Sequence, residues 1–279
     1  MGLLSIPFPE IDPVAVQLGP FAVKWYGLAY MAGLLFGWLY VKYLLRQDRL
    51  WPGGRAPFSA DKTDDLLLYM TIGVLLGGRL GYVLFYEPRF FLSRPWEIVA
   101  IWNGGMAFHG ALIGSIIAIV LFAQRVGALP WSVLDACAAA TPMGLFFGRL
   151  ANFINAELWG RPSTVPWSMV FPGGGPVSRH PSQLYEAALE GALLFAVLWW
   201  LTHNRLALRR PGFVGGAFLA GYGAARSVCE LFREPDAGHW LSVGPLTAGI
   251  FYSLPMIAFG IYMMRTAGQR TPATSNAAP

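Results

Sequence analysis

The chain has 279 residues, of which 55% are hydrophobic and 13% charged, with a mean hydropathy of +0.48; a charged share about half that of soluble domains excludes an ordinary aqueous globule. Two cysteines, Cys137 and Cys229, both in apolar stretches, exclude a disulfide scaffold, and no CxxC or HExxH spacing offers a metal site. The net charge of +5 is scattered singly between apolar blocks, which favours a membrane surface and speaks against nucleic acid as a partner.

A spanning helix needs about 20 mostly apolar residues. The segment MGLLSIPFPEIDPVAVQLGP precedes the first such block; with three prolines before residue 15, two acids and no basic leader it is expected to lie along the interface rather than to be cleaved. Apolar blocks then run from Tyr26 to Leu45, Leu66 to Phe85, Ile98 to Gln124 (the helix beginning near Gly104), Val133 to Phe153, Pro181 to Leu201, Phe213 to Phe232 and Leu241 to Met264. The prediction is an all-α integral membrane protein, a single polytopic domain over 1–279 with seven transmembrane helices. Its last stretch, about 265–279, reads as a disordered tail. Glycines four apart (Gly33/Gly37, Gly77/Gly81, Gly110/Gly114, Gly144/Gly148, Gly212/Gly216) are expected to let helices pack closely.

With seven spans the ends fall on opposite sides. One side holds Lys24, Arg89, Arg94, Arg161, Arg179 and Arg233; the other holds the larger set of Lys42, Arg46, Arg49, Arg55, Lys62, Arg125, Arg205, Arg209, Arg210, Arg265 and Arg270. The positive-inside rule therefore predicts a periplasmic N-terminus and a cytoplasmic C-terminus. Arg79, Arg149 and Arg226 fall inside the blocks. Ionisable groups at membrane depth are expensive unless paired or solvated, which makes these three the first functional candidates.

All three are predicted near the outer ends of outward-running helices, with Tyr26 and His109 at the starts of inward-running ones. Arginine suits phosphate, because its planar fork donates paired hydrogen bonds and keeps its charge, so a cluster at headgroup depth suggests an anionic phospholipid. In RSVCELFREPD, the spacing of Arg226, Glu230 and Arg233 puts all three on one helical face, where Glu230 can orient both guanidinium groups. GRLANFINAELWGRP packs Arg149, Asn152, Asn155 and Glu157 into nine residues; the asparagines serve either as donors to a ligand or as caps. His109 serves either as a general base or structurally. A further polar run, Arg179 to Glu186, opens the fifth helix on the same side. Asp135, toward the inner side, reads as a packed or capping carboxylate. No G-x-S-x-G elbow or Ser/Lys pair supplies a covalent nucleophile, so one is expected to arrive with a substrate.

WYGLAYMAG from Trp25, HGALIG from His109, GRLANFINAELWGRP from Gly148, HPSQLYEA from His180 and RSVCELFREPD from Arg226 together resemble the bacterial phosphatidylglycerol–prolipoprotein diacylglyceryl transferases over nearly the whole chain. The resemblance implies a multi-pass enzyme of the bacterial inner membrane with its active site toward the periplasm. Such an enzyme moves the diacylglyceryl group of phosphatidylglycerol onto the lipobox cysteine of prolipoprotein signal peptides. The product is a thioether, glycerol 1-phosphate leaves, and no cofactor or metal is expected. Carried onto this sequence, the resemblance makes Arg149 and Arg226 headgroup binders, with Asn152 and Gly160 shaping the same loop and Glu230 and Arg233 holding them. His109, Arg149, Arg226 and Tyr26 are the implied catalytic set, with His109 as candidate thiol base. The rival from another class is a transporter or flippase of an anionic lipid or solute, disfavoured because the polar groups gather at one end. An intramembrane protease would need a partner aspartate for Asp135.

Overall fold

A chain this apolar must close its backbone hydrogen bonds within each segment, and the computed structural model, which describes residues 6–234 and 247–270, does so almost entirely with helices. Short strands β1 (Ile6–Pro7), β2 (Val14–Leu18) and β3 (Phe21–Lys24) lead into helix α1 (Trp25–Leu45). Then come α2 (Thr63–Phe85), the short α3 (Pro88–Ser93), α4 (Phe108–Val126) and α5 (Pro130–Ile154). After strand β4 (Met169–Val170), a rod over Ser182–His203 is built from α6 (Ser182–Glu186), a π-helical stretch (Ala187–Leu193) and α7 (Leu194–His203). Helices α8 (Phe213–Cys229) and α9 (Ala248–Thr266) complete the chain. β2 and β3 form an antiparallel hairpin, and β1 pairs in parallel with β4.

Six helical stretches are long and apolar enough to cross a membrane: Trp25–Leu45, Ala60–Phe85, Phe108–Val126, Pro130–Ile154, Ser182–His203 and Ala248–Arg270. The predicted block from Phe213 to Phe232 folds as α8, only 17 residues long, because the chain leaves the helix after Cys229. The block from Ile98 to Gln124 does not become one helix. Pro95–Val99 and Ile101–Asn103 form isolated 3-10 turns, and Gly104 and Gly105, both at φ +81, break the chain before α4 starts at Phe108. Of the Leu241 to Met264 block, residues 241–246 lie outside those described. The expected tail is a correction in part: helix runs through Thr266, a turn covers Ala267–Arg270, and the Arg270 guanidinium stacks 4.2 Å from the centre of the Trp131 ring. Residues 271–279 lie outside the described residues.

Glycine sets the closest packing. A Cβ added to Gly77 would strike the Gly110 carbonyl and the Gly114 backbone, and one on Gly110 would strike Gly77 and Gly81, so α2 and α4 touch backbone to backbone. Gly33 meets Gly144 between α1 and α5, and Gly216 meets Gly260 between α8 and α9. Gly212 belongs to a turn instead, at φ +88. Asp135 of α5, fully buried, accepts the backbone N–H groups of Gly212 and Gly215, each at 2.7 Å, and so caps the start of α8. An apolar core of Leu44, Leu50, Trp51, Phe122, Leu198 and Leu208 gathers at the end of the bundle where α1 finishes and α2 begins. Leu34, Leu68, Leu76, Ile113 and Ile116 stay exposed along the helices, the pattern of a hydrocarbon-facing surface.

Candidate functional site

Three segments far apart in sequence are stitched together at the end of α5. The helix stops at Ile154, and the chain passes through Ala156 (φ +53) and Leu158 (φ +58) before Gly160. The Gly160 N–H donates to the His180 carbonyl at 2.9 Å, the Arg161 N–H to the Phe232 carbonyl at 2.8 Å, and the Arg161 Nε to the Arg233 carbonyl at 2.9 Å. A Cβ on Gly160 would strike the Phe232 carbonyl and His180, so only glycine lets the three strands of chain close. Ser182 Oγ donates to the Leu158 carbonyl at 3.0 Å and Gln183 Nε2 to the Glu157 carbonyl at 2.6 Å, which ties the start of α6 to the same loop. Asn152 Nδ2 donates to Glu157 Oε1 at 2.6 Å. At the rim, His180 Nδ1 lies 3.1 Å from the Tyr185 hydroxyl, and partial burial pushes its imidazole pKa below the ordinary value.

Behind this loop lies a network of three guanidinium groups and three carboxylates. Glu186, fully buried, is 2.9 Å from Arg149 Nε, 3.1 Å from Arg226 Nη1 and 3.0 Å from Arg233 Nη1. Glu190, also fully buried, is 3.4 Å from Arg149 Nη2 and 3.7 Å from Arg226 Nη1. Glu230 is 2.8 Å from Arg226 Nη2 and rests on Gly249 in the first turn of α9. Glu186 Oε2, Glu190 Oε1 and Glu230 Oε2 have no N–H aimed along their lone pairs, so part of this attraction is charge pairing without directed hydrogen bonds. Such pairing is what makes six charges tolerable in an apolar bundle. The side chains of Arg149 and Arg226 keep 17% and 15% of their exposure, enough to meet a ligand.

Arg149 opens onto a cavity of about 620 Å³ between α1, α2 and α5, shared with Tyr26, Tyr30, Asn152 and Leu158. The hydroxyls of Tyr26 and Tyr30 are 3.1 Å apart. The other flank of the network leads through Glu230 and Gly249 to Tyr252, one turn further along α9, whose ring centre is 6.4 Å from that of His109. Arg149, Arg226, Glu230, Arg233, Asn152, Gly160 and Tyr26 are therefore brought together, whereas His109, exposed in the first turn of α4, stands off the cavity on the far flank.

One expectation is corrected. Arg79 does not join the cluster: it is buried in α2, donates to the carbonyls of Glu97, Ile98, Ala100, Gly104 and Gly105, and so holds the 95–105 excursion in place. The third guanidinium of the network is Arg233 instead, which lies past the end of α8 and is held by Glu186 of α6. Sequence reasoning missed Glu186 and Glu190 as site residues. The signal was present, since two carboxylates inside one apolar block violate the same membrane rule that singled out the arginines.

A family model of the prolipoprotein diacylglyceryl transferases matches residues 13–266. The chain is 53% identical over 271 residues to the phosphatidylglycerol–prolipoprotein diacylglyceryl transferase of Rhizobium meliloti, covering 95% of each chain. It is 52% identical over 267 residues to that of Mesorhizobium japonicum, covering 95% of this chain and 93% of the relative. Against the enzyme of Nitrobacter winogradskyi it is 51% identical over 276 residues, with 98% and 94% covered. Similarity at this level over nearly the full length of both partners leaves no doubt of descent: the chain belongs to the prolipoprotein diacylglyceryl transferase family.

Proposed function

We propose that this protein is a transferase that moves the diacylglyceryl group of phosphatidylglycerol onto a prolipoprotein. The observation that carries the reading, beside the family, is the Arg149–Arg226–Arg233 network at the mouth of an apolar cavity. In the proposed step, the thiolate of the lipobox cysteine attacks the glycerol carbon that bears the phosphate. A C–S bond forms, the C–O bond breaks, and glycerol 1-phosphate leaves with the electron pair. Arg149 and Arg226 bind the headgroup phosphate and stabilise the charge that grows on it. Asn152, Gly160, Glu230 and Arg233 fix the loop and the guanidinium planes, and Tyr26 lines the approach. His109 is the candidate acceptor of the thiol proton. Its place beside Tyr252 requires the peptide to approach from the α9 flank while the lipid occupies the α1 side. His109→Gln is expected to lower turnover at neutral pH without weakening lipid binding; an unchanged rate across the pH range removes the assignment.

We also infer that α8 is a seventh span. At about 1.5 Å per residue its 17 residues cover roughly 25 Å, most of the hydrocarbon layer. Seven crossings and the lysine and arginine bias then put the N-terminus and the network toward the periplasm of the inner membrane, the tail toward the cytoplasm, and the whole of 1–279 in one polytopic domain.

The deciding experiment supplies the purified protein with phosphatidylglycerol and a lipobox peptide carrying either cysteine or serine. Release of glycerol phosphate only with cysteine, together with a peptide heavier by one diacylglyceryl group, is the expected result. No release with either peptide, from folded protein that binds the lipid, favours the transporter or flippase.

A further inference from the structure

Glu186 and Glu190 lie four positions apart, so the two carboxylates share one face of the rod over Ser182–His203. Both are fully buried there, and like charges at that spacing repel. The rod departs from α-helical geometry at this point: Ala187–Leu193 is π-helical, a form that is rare and concentrates at functional sites. A Cβ on Gly191 would strike the backbone and side chain of Phe146 at 2.7–3.1 Å, so the π-helical stretch is pressed against α5 three residues before Arg149.

The contacts of the two carboxylates are unequal. Glu186 meets Arg149, Arg226 and Arg233 at 2.9, 3.1 and 3.0 Å, and Glu230 adds a second close contact to Arg226 at 2.8 Å. Arg149 and Arg226 are therefore paired without Glu190. Glu190 nonetheless spans the same two groups, with Oε2 3.4 Å from Arg149 Nη2 and Oε1 3.7 Å from Arg226 Nη1, and no N–H is aimed at Oε1. A second buried carboxylate held this loosely returns little for its desolvation. Its effect is to lay one negative charge, spread over two oxygens, across the two guanidinium groups that face the ligand. A phosphodiester does the same.

We propose that Glu190 is a resident counter-anion of the phosphate site, a positioning residue that acts through Arg149 and Arg226 to let the product go. The proposal rests on the transferase reading above. In that step the lipid arrives as a phosphodiester with one negative charge. The C–O bond breaks with its electron pair on the phosphate oxygen, and the phosphomonoester that results carries roughly −1.5 to −2 charges at pH 7. Guanidinium groups that stabilise this growing charge also hold the product more tightly than the substrate. Glu190 opposes that hold: its carboxylate repels the added charge and pairs again with both arginines as glycerol 1-phosphate leaves.

The test measures glycerol 1-phosphate binding to the full-length protein in detergent, by calorimetry and as product inhibition of transfer, in wild type, Glu190→Gln and Glu190→Asp. Glu190→Gln is expected to bind the product about tenfold more tightly, and Glu190→Asp to stay within about threefold of wild type. In Glu190→Gln the first turnover is expected at the wild-type rate, followed by a steady state about tenfold slower as product release becomes limiting. The sign decides the matter. A residue that only props the arginines would, when lost, scatter them and weaken product binding. Equal or weaker binding in Glu190→Gln therefore overturns the proposal and leaves the transferase reading intact. A Glu190→Asp protein that binds as tightly as the amide overturns it too, because charge is then not the cause. Glu190→Met, close in volume and uncharged, replaces the amide if the latter does not fold; a chain that folds with neither assigns Glu190 to structure alone and equally overturns the proposal. If the wild type releases no glycerol phosphate from any lipid, the transferase reading is what has failed. The counter-anion is then judged on inorganic phosphate, where tighter binding by Glu190→Gln than by wild type upholds it and equal or weaker binding overturns it.

Discussion

Arg149 touches both Glu186 and Glu190 and faces the cavity, so its loss acts twice. Arg149→Ala takes one partner from each of two buried carboxylates and leaves Glu190 with Arg226 alone, at a cost of no more than about 3–5 kcal/mol, and is expected to lower turnover by about two to three orders of magnitude. Arg149→Lys keeps the charge without the fork; thermal unfolding near wild type with strongly reduced turnover is the expected pair of readings. Adding Glu190→Gln to Arg149→Ala should recover part of the stability and none of the activity, which separates the two roles in one double-mutant comparison. His180 offers a test by pH. Burial lowers its imidazole pKa in the folded protein, so below about 6.5 the unfolded chain binds the proton more readily. The stability this contributes is present above that pH and is lost as pH falls through the folded value. Melting curves of wild type are therefore expected to fall more steeply on acidification than those of His180→Gln.

Among the elements, α8 depends on a neighbour for its start. Asp135 supplies both oxygens to the N–H groups of Gly212 and Gly215, and Asp135→Ala is expected to cost about 1–2 kcal/mol, read as a lower unfolding temperature in detergent with lipid binding retained. The sequence suggested a packed or capping carboxylate, but its partner, some eighty residues on, could not be read from local spacing. The helices themselves were legible because hydrocarbon imposes a length and an apolar composition on each, and close packing was legible in the glycines of α2 and α4, though not that these two helices are the partners. The start of α4 was legible to within a few residues, since the beginning expected near Gly104 falls beside the two glycines of positive φ that break the apolar run from Ile98 before Phe108. The site was half legible. Charge in an apolar block flags each arginine separately, whereas pairing is a property of the assembled bundle. Arg79 and Arg149 have equal standing as letters, yet one ends on backbone carbonyls and the other on carboxylates.

For the whole molecule, the segments that carry chemistry meet at one end of the bundle while the apolar core with Trp51 and Phe122 gathers at the other. Family membership and geometry therefore meet on the same residues: three of the five stretches that resemble the family are the ones that Gly160, His180 and Phe232 fasten together. The network at that end holds as many carboxylates as guanidinium groups among the described residues. An enzyme that draws a charged substrate from bulk water relies on an unbalanced field, and its capture rate collapses as ions screen that field. This one has little field to lose, and its lipid reaches it by diffusing sideways in two dimensions. Its kcat/KM for phosphatidylglycerol is accordingly expected to change by less than about twofold as ionic strength rises from about 0.05 to 0.5 M, a range over which the Debye length shrinks roughly threefold. Steady-state assays at fixed surface concentration of lipid would detect a steeper dependence. An acceptor that has to be fetched through solvent would show its salt sensitivity in the peptide KM alone.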